Sequence, residues 1–374
     1  MITRRQSLQQ ILFASSGLAL LGPRALSQQP ATSVEGSRSL KAHAHKHGLL
    51  TGCAVSAADL RDEAFTRVLA AQASIVVAEN AMKFGLLAPK PGVYNFDDAD
   101  ALVNFARQHK IKVRGHNFVW HEQLPAWFAG TVTKDNARKV MTGHILAVGS
   151  RYKGKIHSWD VVNEAVNISD GRPDGLRKSP WMELIGPEYL ELAYKTAHQA
   201  DPHAKLTYNE YGIEDESEAA NKKRAATLDL VKRLKAAGAP IHALGIQSHL
   251  SAKSPVYGKG LREFIAAATA MDLDIYLTEM DVSDDDVQDT DTASRDRRIA
   301  QVYADYLAVT LESRAVKAVL TWGLTDRHTW LNGIKSHHEK QPNRDQRPLP
   351  FDPDWNPAPA FFALRDAFDK APRR

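Results

Sequence analysis

Short apolar runs of strand length recur through most of the chain and alternate with longer segments of helical period. The runs lie at residues 49–55, 74–79, 111–116, 156–163, 205–210, 242–248, 274–280 and 316–323. The segment 219–237 shows the clearest helical period, because its Leu228, Val231 and Leu234 share one face. A last helix is predicted at residues 358–370.

The alternation itself predicts the fold class. Strands that alternate with helices form parallel β-α-β units, and eight such units close a (β/α)₈ barrel, also called a TIM barrel. We therefore predict an α/β fold with one TIM-barrel domain over residues 45–372. An open, doubly wound sheet is the alternative that the pattern leaves.

The first residues have the pattern of an export signal. Arg4 and Arg5 precede an apolar run at residues 11–21, which is too short to span a bilayer, and a small-residue cleavage triplet follows. We predict a signal peptide over residues 1–27, on the twin-arginine or the Sec route, and a flexible segment over residues 28–44. A disordered basic tail is the alternative.

Removal of this signal changes what the charge implies. The formal net charge of the 374 residues is +4, and residues 1–27 carry three arginines and no acid, which leaves +1. The basic composition is therefore no evidence for nucleic-acid binding. No other segment is long and apolar enough to span a membrane, so we expect a periplasmic or extracellular protein without stable membrane association.

Several kinds of site are excluded by the residues present. Cys53 is the only cysteine, so neither an intrachain disulfide nor a cysteine-based zinc cluster can form. Phosphate-loop, HExxH and Gly-x-Ser-x-Gly motifs are also missing. His43, His45 and His47 are interpreted as part of a solvated, helix-forming lead-in rather than as metal ligands. We expect no metal and no cofactor.

Polar side chains end nearly every predicted strand. They are Glu79, Asn80, His116, Asn163, Glu164, Asn209, Glu210, Tyr211, Gln247, His249, Glu279, Asp281 and Trp322. In a TIM barrel these ends meet at the rim that carries the active site. Tryptophan faces stack on sugar rings, amides and carboxylates bind hydroxyls, and two carboxylates flanking one bond hydrolyse glycosides. Glu164 and Glu279, on nearly opposite strands, are the candidate pair.

Seven ordered segments resemble glycoside hydrolase family 10, the β-1,4-xylanases, across residues 45–370. They are AENAMKF (78–84), GHNFVWHEQLPAW (115–127), WDVVNEAV (159–166), YNEYGIE (208–214), GIQSHL (245–250), LTEMDV (277–282) and TWGLTDRHTWL (321–331). The resemblance implies a retaining endo-1,4-β-xylanase that binds xylan and xylo-oligosaccharides and cuts internal bonds through a glycosyl-enzyme intermediate. We expect it to act as a monomer without nucleic acid.

The resemblance also implies a role for each matching position. Glu164 stands where the family has its acid/base, and Glu279 where it has its nucleophile. Asp281 and His249 would keep Glu279 ionised and oriented. The positions that match substrate-binding residues are Glu79, Asn80, Lys83, His116, Trp120, Gln123, Asn163, Tyr211, Gln247, His249, Trp322 and Trp330.

Four residues depart from the usual family pattern, and five others receive a structural interpretation. Phe84 replaces a common Trp, Met280 a Leu, and Glu210 and Gly212 an Asp and an Asn on the side that binds the leaving group. The residues interpreted as packing tryptophans, structural histidines or a surface charge are Trp159, Trp181, His121, His144 and Glu122.

Two other functions stay open on the sequence alone. One is a related barrel hydrolase for another β-1,4-glycan, such as cellulose or mannan, and product analysis on several glycans would separate it. The other is a non-catalytic sugar-binding barrel, although such proteins usually lack one of the two carboxylates. Turnover of an aryl xylobioside would exclude the second.

The export signal gives a testable prediction. Cleavage after Ser27 should leave Gln28 as the first residue, because the small-residue triplet ends there. N-terminal sequencing of protein from the native host is expected to begin near Gln28. Intact chain that starts at Met1 and stays in the cytoplasm would contradict export.

Overall fold

The computed structural model describes residues 34–253, 256–288, 291–333, 341 and 343–374. The predicted signal peptide, residues 1–27, lies outside the described residues, as does the first part of the segment that follows it.

Eight parallel strands close into a barrel. They are β1 (Leu50–Val55), β2 (Ile75–Ala78), β3 (Lys112–Val119), β4 (Ser158–Asn163), β5 (Lys205–Glu210), β6 (Ala243–Ile246), β8 (Asp274–Ser283) and β9 (Val316–Thr321). Each pairs with the next, β6 pairs with β8, and β9 pairs back with β1. This closure confirms the predicted TIM barrel and excludes the open sheet. A short strand that was not predicted, β7 (His249–Ser251), pairs with the end of β8.

One long helix follows each barrel strand, as the alternation predicted. These are α2 (Glu63–Gln72), α4 (Asp97–Gln108), α6 (Ala137–Arg151), α8 (Tyr189–Ala200), α9 (Glu218–Ala236), α10 (Lys259–Thr269), α11 (Thr292–Thr310) and α12 (Pro359–Lys370). Shorter helices are α1 (Leu40–Lys46), before the barrel, and α3 (Phe84–Leu87), α5 (Phe128–Thr131) and α7 (Pro180–Ile185), in the loops after strands. The helices predicted at 219–237 and 358–370 are α9 and α12.

The strands are apolar on both faces because both faces are buried. In β2, Ile75 and Val77 belong to a cluster inside the barrel, and the alternate residues Val76 and Ala78 belong to the larger cluster between barrel and helices. The alternation follows from the period of two of a strand. It explains why each strand appears in the sequence as a continuous apolar run.

The prediction of a flexible segment over residues 28–44 is wrong for its described part. Helix α1 packs against α12, with Leu40 and Ala44 buried at 5% and 0% exposure. These two residues are four positions apart and form an apolar stripe that the surrounding lysines and histidines obscured. The side chain of His43 contacts Asp369 of α12 at 2.7 Å, so the histidine segment is a helical lead-in as interpreted. Among the described residues, no group of three side chains is arranged to hold a metal.

The residues interpreted as packing residues lie in the core. Trp159 and Trp181 are 0% and 2% exposed. His144 is buried, with its ring centroid 3.9 Å from that of Phe84. Burial lowers the pKa of His144 to about 3. It is therefore a neutral core histidine, which confirms that interpretation.

A glycine in β3 makes room for one of these tryptophans, and this gives a stability prediction. A Cβ atom on Gly115 would lie 2.0 Å from Cε3 of the Trp159 ring. Because the ring is fully enclosed, Gly115→Ala is expected to lower the free energy of unfolding by about 3 kcal/mol. Chemical denaturation measures the change.

The matched control is the same substitution in α6. A Cβ on Gly143 meets no atom within 4 Å. Gly143→Ala should raise the free energy of unfolding by about 0.5–1 kcal/mol, since alanine is the better helix former. Equal effects of the two substitutions would contradict the packing argument.

Candidate active site

A cleft of about 750 Å³ opens at the carboxyl ends of the barrel strands. The structure brings all of the predicted site residues into its lining, and adds Glu122, Leu250, Ser283 and Leu331. Strand closure explains this convergence, because residues at equivalent strand ends lie on one rim. Glu164 and Glu279 both line this cleft, each held by its own set of hydrogen bonds.

The two oxygens of the Glu164 carboxyl accept different numbers of hydrogen bonds. Its Oε1 accepts hydrogen bonds from Asn163 Nδ2 at 3.0 Å and from Gln247 Nε2 at 2.9 Å. Its Oε2 accepts one, from Trp120 Nε1 at 2.9 Å. Two donors occupy both lone pairs of Oε1, so a proton carried by this carboxyl belongs on Oε2.

Glu279 is instead held as a carboxylate. Oε1 accepts from Asn209 Nδ2 at 2.7 Å, and Oε2 lies 3.3 Å from His249 Nε2. Burial raises the pKa of Glu279, but the hydrogen bond from His249 and the charge of His116 outweigh it and the net shift is downward. The two glutamates therefore sit in different surroundings within one cleft.

Asp281 supports this arrangement from behind. Its Oδ1 lies 2.8 Å from His249 Nδ1, and its Oδ2 accepts from Trp330 Nε1 at 2.7 Å. Burial lowers the pKa of His249, but Asp281 and then Glu279 oppose it and raise this pKa well above its usual value. One carboxylate thus orients both the imidazolium and the tryptophan that walls the cleft.

Asn209 links the two glutamates, and sequence reasoning gave it no role beyond its place at a strand end. One N–H of its Nδ2 donates to Glu279 and the other to Asn163 Oδ1 at 2.9 Å. Its Oδ1 accepts from Thr278 Oγ1 at 2.7 Å, which sets the orientation of the amide. A Cβ on Gly245 would lie 2.2 Å from that Oδ1, so glycine leaves the space the amide needs.

Another part of the cleft holds a hydrogen-bonded chain of three polar side chains, which lies next to two tryptophan rings. Glu79 Oε1 accepts from Asn80 Nδ2 at 3.0 Å, and Asn80 Oδ1 accepts from Lys83 Nζ at 3.0 Å. The ammonium of Lys83 lies 5.0 Å from the centre of the Trp120 ring and 5.9 Å from that of Trp322. Burial lowers the pKa of Lys83, against the charges of the surrounding glutamates.

His116 and Gln123 complete the predicted set. His116 is buried, and its Nδ1 lies 3.0 Å from Asp160, which also pairs with the buried Arg114 inside the barrel. Its ring meets Trp322 edge-on, with centroids 5.4 Å apart. Gln123 is exposed at the cleft and has a left-handed φ of 46°.

Comparison with known proteins agrees with this geometry. The family model of glycosyl hydrolase family 10 matches residues 39–367 of this chain. The chain belongs to glycoside hydrolase family 10.

Three relatives illustrate the similarity. A β-1,4-xylanase of Dictyoglomus thermophilum is 38% identical over 294 residues, which are 76% of this chain and 79% of that protein. Endo-1,4-β-xylanase B of Thermotoga neapolitana is 33% identical, over 82% and 84% of the two chains. The crystal structure of xylanase 10B from Thermotoga petrophila RKU-1 in complex with xylobiose is 32% identical, with a TM-score of 0.79 over 89% and 97%.

Two of the departures from the family 10 pattern, Glu210 and Gly212, lie in a compact cluster beside Tyr211. Glu210 is fully buried, and its Oε1 lies 2.9 Å from Lys223 Nζ. The same ammonium sits 3.5 Å from the centre of the Tyr211 ring, which is 37% exposed in the cleft. Gly212 has a φ of 66°, which suits glycine. The longer Glu210 therefore remains charge-paired.

The other departures are packing residues. Phe84 contacts His144 and meets Trp127 edge-on at 5.7 Å, and Met280 is fully buried.

Two residues interpreted as structural or as surface charge lie at the site instead. His121 Nδ1 is 3.9 Å from Glu164 Oε2, and its Nε2 is 3.5 Å from Glu122 Oε1. Burial, followed by the charge of Arg177, lowers the pKa of His121 to about 4. Glu122 has a side chain that is 62% exposed, but it lines the cleft. Arg177 donates to the Glu164 carbonyl. It was not predicted, because it lies within a loop and not at the end of a strand.

The charge state of His249 is open to direct measurement. Because Asp281 holds the proton on this ring, wild-type His249 should stay protonated from pH values near the ordinary pKa of histidine to values well above it. Asp281→Asn is expected to bring its pKa back toward about 6.5. ¹⁵N NMR of the histidine rings across this pH range measures both. His144 should stay neutral in both proteins, and an unchanged His249 titration would contradict the assignment.

Proposed function

We propose that this family 10 member is a retaining endo-1,4-β-xylanase that hydrolyses internal bonds of xylan by double displacement. The observation that carries the proposal is the unequal environment of two carboxyl groups on one cleft. Glu279 is stabilised in its charged form, whereas Glu164 Oε2 accepts a single hydrogen bond and keeps a lone pair that can carry a proton. Retaining glycosidases need one group of each kind.

In the first step Glu279 attacks the anomeric carbon and forms a bond to it. The bond from that carbon to the leaving oxygen breaks, and Glu164 gives that oxygen its Oε2 proton. In the second step Glu164 takes a proton from water as the water attacks the same carbon, and Glu279 is released. The side chain of Asn163 would bind the 2-hydroxyl of the sugar, a contact that strengthens in the transition state.

The remaining lining residues support a xylan chain as the substrate. Sugars on the non-reducing side would contact Glu79, Asn80, Lys83, His116, Trp120, Gln123, Gln247, His249, Trp322 and Trp330. Gln123 and Trp330 would fill the space where glucose carries its extra hydroxymethyl group, a clash that disfavours cellulose. Tyr211 would face the leaving-group sugar. The cleft is open to solvent, which suits internal positions of a polymer.

The cellular setting is part of the same proposal. We expect a monomer that residues 1–27 direct to the periplasm or out of the cell. The catalytic domain would cover residues 45–372. Within the described ranges no helix is long and apolar enough to cross a membrane. The proposed chemistry uses no metal or cofactor, and xylan rather than nucleic acid or a membrane would be the partner.

The test is hydrolysis of xylan and aryl β-xylobiosides by wild type and two variants. Wild type should release short xylo-oligosaccharides whose first-formed anomer is β in proton NMR. Glu279→Ala should lose more than about 10⁴-fold in kcat, because no other group can attack the sugar. Glu164→Ala should lose about 10²–10⁴-fold where the leaving group needs a proton, and far less with dinitrophenol.

Azide supplies the control for the role of Glu164. The small anion can replace the water that Glu164 activates, so it should partly restore turnover of Glu164→Ala and yield a β-xylobiosyl azide. First-formed α-anomer would overturn the mechanism. Faster turnover of cellobiosides than of xylobiosides would contradict the assignment of xylan as the substrate. No turnover of any glycoside would indicate a non-catalytic sugar-binding protein.

A further inference from the structure

The main chain at Glu164 has an unusual conformation. Its φ is +58°, in the left-handed region that residues other than glycine rarely adopt. Such a conformation persists only where neighbouring groups hold it. The direction in which the Glu164 side chain leaves β4 therefore depends on the contacts of its own peptide groups.

Two hydrogen bonds hold those peptide groups. Glu164 N donates to the carbonyl of Asn209 on β5 at 2.9 Å. The Glu164 carbonyl accepts from Arg177 Nε at 2.7 Å. Arg177 is fixed in turn, since its own N–H donates to the Ala165 carbonyl at 2.7 Å. The first contact is sheet pairing, whereas the second is a side chain reaching back from the far end of a loop.

A second nitrogen of the same guanidinium reaches the leaving-group side of the cleft. Arg177 Nη2 donates to Tyr211 Oη at 3.1 Å. Lys223 Nζ lies 3.5 Å from the centre of the Tyr211 ring, so the tyrosine also has a contact on its ring face. Because a guanidinium is planar and rigid, its two donors keep a constant separation. The carbonyl of Glu164 and the hydroxyl of Tyr211 are thereby joined through one rigid group.

We propose that Arg177 is a positioning residue that aims the Glu164 carboxyl at the leaving oxygen and couples it to the sugar seated against Tyr211. The inference rests on the proposed function, in which Glu164 is the acid. Movement of the leaving-group sugar against the tyrosine would be transmitted through the guanidinium to the main chain of the acid. Proton donation would then be most effective when that sugar is correctly seated.

The test compares leaving groups that need a proton with one that does not. kcat/KM is measured on aryl β-xylobiosides from dinitrophenol to phenol, and on xylotetraose. Arg177→Met should lose on the order of 10²-fold with phenol and with xylotetraose, because the acid is misplaced. With dinitrophenol the loss should stay within about threefold, so the dependence of rate on leaving-group pKa becomes steeper.

Further variants separate position from charge and from folding. Arg177→Lys keeps the charge but cannot span both acceptors, so it should behave nearly as Arg177→Met does. Tyr211→Phe keeps the ring and removes the acceptor, so it should show the same steepening at about tenfold. Both variants keep the test decisive should Arg177→Met fail to fold. Arg172→Met is the matched control, since Arg172 pairs with Asp174 in the same loop, and it should match wild type.

The outcomes are distinguishable. An equal loss on every leaving group, or no loss, in folded Arg177 variants would overturn the positioning role while wild type still hydrolyses xylobiosides. A lysine variant with wild-type rates would show that charge alone matters and would also overturn it. If wild type turns over no xyloside, the proposed function itself fails, whatever the variants do.

Discussion

Pairing of the last barrel strand with the first is the constraint on which the site depends. The register of β1 and β9 runs from Leu50 opposite Ala318 to Cys53 opposite Thr321. Once this ring is closed, every strand end has a fixed position on one rim. The polar groups there come from distant parts of the chain and have little freedom to separate. Their chemistry follows from enforced proximity.

Proximity in a poorly solvated place demands that each polar group be satisfied. The Asn209 amide meets this demand, because both of its N–H groups donate and its oxygen accepts a hydrogen bond. In doing so it orients the Glu279 carboxylate and the side chain of Asn163 beside Glu164. Glu279 receives an imidazolium, whereas Glu164 receives neutral amide and indole donors. The imidazolium lowers the pKa of Glu279, and it has no counterpart among the hydrogen-bond donors to the Glu164 carboxyl.

Much of this arrangement could be predicted from the sequence, for a physical reason. Strands buried on both faces are continuous apolar runs, so all eight were found, and most of the polar residues that end them line the cleft. The clear helical period of α9 also located that helix. These features depend on neighbours along the chain, which a sequence displays directly.

The features that escaped prediction depend on contacts across the chain. Asn209 meets a partner 70 positions away, and nothing local indicates that its amide nitrogen faces Glu279. Arg177 lies in a loop without periodicity, and its value appears only when the loop returns to Glu164. The packing of helix α1 against α12 was missed because its two buried residues stand among charged ones. Side-chain pairing, rather than backbone pattern, is what the sequence leaves undetermined.

The loop that ends at Arg177 has a further consequence for how such a barrel can diversify. Its two stems are tied to each other, because Val166 and Leu176 form an antiparallel bridge and Asn167 N donates to the Gly175 carbonyl. The tip between them has its own local contacts, such as Asn167 with Asp170. Insertions or exchanges confined to that tip would alter the approach to the cleft and leave the stems in register. The tied stems thus separate a change of length at the tip from the hydrogen bonds that hold Glu164.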